Sequence, residues 1–85
     1  MKYEVIVELK KEVLDTEGQT ISNTLKRLGF DELEDIKVSK RFVLTFKDNT
    51  QKPINDIIAT ISKQYLSNPI SENYIIHEIT ENENK

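Results

Sequence analysis

Eighty-five residues make one domain, and a formal net charge of −3 argues against a nucleic-acid partner, whose binding rests on a basic face. The absence of cysteine removes disulfides and thiolate metal sites. No apolar run is long enough to span a bilayer, and Met1-Lys2-Tyr3-Glu4 does not open a signal-peptide core, so a cytoplasmic protein is expected.

Residues 2–10 read as a strand, with Tyr3, Val5, Val7 and Leu9 alternating with Lys2, Glu4, Glu8 and Lys10. Ile6 places an apolar side chain on the face away from the core. The connection that follows is polar except for Val13 and Leu14. Apolar neighbours in a connection either tuck back onto the core or meet another chain. Asp15 is a good N-cap for the next helix, and Glu17 adds negative charge at the positive end of its dipole. Gly18 sits early in that helix, where it costs about 1 kcal/mol relative to alanine. That cost implies either a close approach by another backbone or a poorly formed first turn.

Residues 16–28 read as this helix, with Ile21, Leu25 and Leu28 on one stripe. Gly29 stands where a left-handed C-cap is wanted, with Phe30 as its hydrophobic follower. The acidic run from Asp31 to Asp35 has no partner base, nucleophile or metal ligand and reads as a solvated loop. Residues 36–47 read as a hairpin turning near Ser39-Lys40-Arg41. Phe42, Leu44 and Phe46 mark its inner face. Pro53 opens a second helix, in which Ile54, Ile57, Ile58, Ile61 and Tyr65 follow helical spacing. Asn68-Pro69 stops it. Residues 73–79 form the last strand, and the polar tail 80–85 is expected to fray.

The order is therefore βαββαβ. The expectation is an α+β, ferredoxin-like domain over residues 1–79, with a four-stranded antiparallel sheet and two helices on one face. On the open face, Ile6 and Val43, with one of Ile75 and Ile76, would form a contiguous apolar group. Such a group on a bare sheet reads as a contact surface, here for self-association or partner docking.

No catalytic constellation emerges. His77 is the sole histidine and reads as a surface or partly packed side chain. The serines lie near no evident base. Gly18 and Gly29 are isolated, so there is no phosphate loop. Lys37, Lys40 and Arg41 make only a small basic cluster. Phe42 and Phe46 read as core rather than as an RNA-stacking pair.

Several stretches resemble PurS, the small subunit of bacterial and archaeal phosphoribosylformylglycinamidine synthase. They are Leu9-Lys10 followed by Val13-Leu14-Asp15 and Gly18; Leu25 and Leu28-Gly29-Phe30; Asp35-Ile36-Lys37, Lys40 and Leu44; and Leu66-Ser67-Asn68-Pro69 with Glu72 and Tyr74. Two departures stand out. Thr16 follows Asp15 where the family usually has proline, and Ser39 precedes Lys40 where it usually has glycine.

The resemblance implies a subunit without a catalytic site, metal or cofactor of its own. A glutaminase subunit would release ammonia. A large synthetase subunit would use ATP and Mg to activate formylglycinamide ribonucleotide. This chain, a homodimer or higher homo-oligomer, would bridge the two and assist ammonia transfer. The contact residues implied are Asp15, Gly18, Lys40, Arg41, Asn68, Pro69, Glu72 and Tyr74. The rival readings are a stand-alone ACT-like ligand-binding regulatory domain, for which Gly18 would have to serve as the ligand-turn glycine, and a small enzyme.

Overall fold

In a computed structural model, described here for residues 1–48 and 51–80, the elements run β1 (Lys2–Leu9), α1 (Thr16–Arg27), β2 (Ser39–Thr45), α2 (Ile54–Ile61) and β3 (Glu72–Ile79). A π-helical turn, Ser62–Leu66, extends α2. The expected tail lies outside the described residues apart from Thr80.

The three strands form one antiparallel sheet in the order β2-β1-β3, with Val5 opposite Phe42 on one side and Ile76 on the other. The alternation in β1 does what its period requires. Tyr3, Val5 and Val7 are buried on one face, where they meet Ile58 of α2. Phe42, Leu44, Phe46, Ile54, Leu66, Tyr74 and Ile76 pack around them, half-buried. Tyr3 and Phe46 meet edge to face, with ring centres 6.0 Å apart.

Three expectations are corrected. The hairpin over 36–47 does not form. Residues 33–38 are irregular, and in this stretch only Ser39–Thr45 pairs, so among the described residues the sheet has three strands and not four. The backbone donors of the missing strand are committed elsewhere: Val38 N–H to the Asp15 carboxylate, and Ile36 N–H to Asp35 Oδ1. Lys40 and Arg41 therefore lie within a strand, opposite Val7 and Ile6, and not at a hairpin tip. Second, only α2 supplies the helical part of the core; α1 contributes no side chain to it. Third, Tyr65 does not continue the apolar stripe of α2. The wider π turn, closed by Ser67 N–H to the Ser62 carbonyl at 3.0 Å, changes the helical phase. Leu66 packs against the core instead, and Tyr65 is 77% exposed.

Candidate functional site

The turn between β1 and α1 is built on Asp15. Its Oδ1 accepts from Gly18 N–H at 2.8 Å, the N-cap bond anticipated from sequence. Its Oδ2 accepts from Val38 N–H at 2.7 Å, which ties a segment 23 residues away to the start of the helix. Asp15 is buried, yet its carboxyl is held below the usual carboxylate range. The Val38 amide is the main cause, then the Gly18 amide, with Lys37 adding a small contribution against the opposing effect of burial. Gly18 lies under the same segment. A Cβ there would fall 2.3 Å from the Ile36 carbonyl oxygen, so the close backbone approach implied by an early glycine is real. Val13 tucks in, its N–H bonded to the Lys10 carbonyl, whereas Leu14 stays 64% exposed.

The Asn68–Tyr74 segment forms a second knot at the same end of the sheet. Asn68 Oδ1 accepts from Ile70 N–H at 3.0 Å, and its carbonyl accepts from the amides of Ser71 and Glu72. Glu72 Oε1 accepts in return from Asn68 N–H at 2.7 Å. Lys10 N–H donates to the Ser71 carbonyl and joins the two knots.

Three of the sequence-derived candidates, Asp15, Lys40 and Glu72, thereby line one open cleft of about 290 Å3 with Leu9 and Leu14. Pro69, Glu72 and Tyr74 line a neighbouring cleft of about 410 Å3 with Lys10 and Lys63. Gly18 sits behind Asp15, on the Ile36 side. Tyr74 packs beside the core opposite Val7, so part of its role is structural. Arg41 is not part of this group. It faces the other side of the sheet.

On that side the register joins Ile6 with Ile75 and puts Val43 opposite Glu4. Val43 and Ile75 are 46% and 41% exposed. Sequence reading missed the charge cluster beside them. Glu4 accepts from Arg41 Nε and lies 3.2 Å from His77 Nδ1, across three strands. The Arg41 bond, then the His77 bond, lower the Glu4 carboxyl below its ordinary value. Only the strand register brings these side chains together.

Neither end knot pairs a nucleophile with a base. Among the described residues no group of three His, Cys, Asp or Glu could hold a metal ion, and no helix is long and apolar enough to cross a membrane. The arrangement offers shaped turns, clefts and apolar surface.

A family model described as PurS, phosphoribosylformylglycinamidine (FGAM) synthase, matches residues 2–80. The phosphoribosylformylglycinamidine synthase subunit PurS of Methanocaldococcus jannaschii is 31% identical over 75 residues, covering 88% of this chain and 90% of that protein. Its counterpart from Mycobacterium leprae is 35% identical over 72 residues, covering 85% and 87%. The crystal structure of Bacillus subtilis PurS superposes with a TM-score of 0.83 at 25% identity, covering 89% of this chain and 94% of that one. The M. jannaschii PurS structure is described as one of the subunits of formylglycinamide ribonucleotide amidotransferase in the purine biosynthetic pathway. It superposes at 0.78 with 32% identity, covering 93% and 98%.

Proposed function

Since the chain belongs to the PurS family of phosphoribosylformylglycinamidine synthase subunits, we propose that it is the non-catalytic small subunit of that complex, bridging a glutaminase subunit and an ATP-dependent synthetase subunit. The family match over residues 2–80 carries this reading. In it, glutamine is hydrolysed on the first partner. On the second, ATP and Mg activate the amide oxygen of formylglycinamide ribonucleotide, and ammonia displaces the phosphate to give formylglycinamidine ribonucleotide. The reaction takes place on the partners. This chain holds the two at a fixed separation and assists the transfer of ammonia.

The end of the sheet carrying Asp15, Lys40, Asn68, Pro69 and Glu72 is the favoured partner contact. Two hydrogen-bonded knots fix its shape before binding, which lowers the ordering cost of docking. Self-association belongs to the same proposal, and the exposed Leu28, Val43 and Ile75 side chains support it.

The test is reconstitution with the purified synthetase and glutaminase subunits, ATP, Mg2+ and formylglycinamide ribonucleotide. Product formation driven by glutamine should require this chain, and product formation driven by added ammonium should proceed without it. If leaving the chain out changes neither rate, the bridging role is wrong.

A further inference from the structure

We propose that a lysine-lined groove at the end of the sheet, running from Lys63 over Lys10 to Lys11, binds an acidic chain segment of a partner subunit. The proposal rests on the bridging role above and gives one of its contacts a chemistry.

Two clefts adjoin there. The first, about 410 Å3, is lined by Lys10 and Lys63 beside Pro69 and Tyr74. The second, about 280 Å3, is lined by Lys10, Lys11 and Lys37 beside Leu9 and Val13. Lys10 belongs to both, so the two make one groove in which cations stand among apolar walls. Its cations come from the turn after β1, the stretch before β2 and the π turn, and only the fold brings them together.

The charge in this groove is not neutralised within the chain. Among the described residues, Lys10, Lys11 and Lys63 have no carboxylate within ion-pair distance. Arg41 does, on Glu4, and so does Lys37, 3.6 Å from Asp35. The carboxylates that line the groove are Glu8, Asp15 and Glu72. Two of them are turned to the backbone: Asp15 accepts from the Gly18 and Val38 amides, and Glu72 accepts from the Asn68 amide. That leaves Glu8 to offset the lysines. The chain has 15 acidic residues and 12 basic ones, so unpaired lysines gathered in one place are not a by-product of composition. Lys11 and Lys63 are exposed and Lys10 is half-buried. Such stems lie along apolar walls and carry the ammonium groups out to a ligand.

The layout selects the occupant. A single phosphate is held by donors that converge on one point. Here the cations are strung along two clefts, and all are lysines, which act as separate point charges without the fork of arginine. An extended segment bearing several Asp or Glu residues, with apolar side chains between them, matches that spacing of charge and wall. Complementary charge of this kind steers docking and fixes register, and salt weakens it.

The reconstituted mixture supplies the readout: the concentration of this chain that gives half-maximal glutamine-driven product. Lys10→Gln/Lys63→Gln is compared with Lys2→Gln/Lys52→Gln, which removes the same charge outside the groove. Lys11→Gln/Lys63→Gln repeats the test at fully exposed positions, where folding by circular dichroism is unaffected. Both groove variants should need about tenfold more chain at about 0.05 M salt, and the difference should shrink at about 0.5 M. The rate at saturation should not change, and the control should match wild type. A short polyglutamate peptide should compete with the wild-type chain, and inorganic phosphate at matched ionic strength should not. Unchanged half-saturation in both groove variants overturns the acidic contact and leaves the bridging role standing. Competition by phosphate as strong as by the peptide also overturns it, in favour of a free anion. Glutamine-driven product that does not need the wild-type chain overturns both readings.

Discussion

Gly18 has an unusually well-defined reason to be glycine. Alanine would ordinarily add about 1 kcal/mol of helix propensity. Here its methyl group would meet the Ile36 carbonyl oxygen and the Asp15 carboxylate, and the first of these is backbone. The clash exceeds the propensity gain, so Gly18→Ala should destabilise the chain by about 1–3 kcal/mol in urea unfolding. It should also speed hydrogen exchange at the Val38 amide, whose acceptor is displaced. Unchanged stability with unchanged Val38 exchange would show that the segment around Ile36 can relax freely. Acid sensitivity arises at the same knot and at Glu4 on the other side of the sheet. The Asp15 and Glu4 carboxyls are lowered in the folded chain, so the folded state binds fewer protons than the unfolded one. Their contribution is fully present above the unfolded carboxylate value of about 4 and is lost as the pH falls through the folded values. Stability measured from pH 6 down to pH 3 should therefore drop. The drop should be shallower in Asp15→Asn, which no longer titrates at that position.

At the scale of elements, periodicity located β1, β3 and both helices, but of β2 only the part from Phe42 onward, since Ser39-Lys40-Arg41 read as a turn and in fact opens the strand. The cap at Asp15 and the left-handed Gly29 (φ 102°) were equally legible, because each is a local backbone requirement. Gly29 N–H to Lys26 O and Phe30 N–H to Leu25 O complete the C-terminal motif of α1. The missing strand was not legible. Ile36-Lys37-Val38 alternates like a strand, but a carboxylate 23 residues earlier takes the Val38 donor, and no local pattern records that. The candidate contact residues were found by resemblance. The gathering of all of them but Arg41 at one end of the sheet, and the Glu4–Arg41–His77 cluster, depend on register. The phase change at the end of α2 was invisible for a related reason. It centres on Ser62, which is fully buried with a hydroxyl that has no hydrogen-bond partner among the described residues. An unmet buried hydroxyl is costly, so Ser62→Ala should stabilise the chain by about 1 kcal/mol. A loss of stability in that variant would mean that the hydroxyl bonds within the folded protein after all.

At the scale of the molecule, the small core sets how stability depends on concentration. Among the described residues the lone chain buries five apolar side chains, Ile79 and a cluster of Tyr3, Val5, Val7 and Ile58 edged by half-covered ones. There is no disulfide to constrain the unfolded chain. A domain this small gains little margin from such a core. If the chain self-associates as proposed, folding and association are linked, and the native state is favoured by mass action. Each tenfold dilution then removes about 1.4 kcal/mol per dimer. For a dimer of this combined length, that lowers the melting temperature by roughly 3–5 °C. Calorimetry over two decades of protein concentration reads this directly. A wild-type melting temperature that does not move with dilution would mean that the single chain is a complete folding unit.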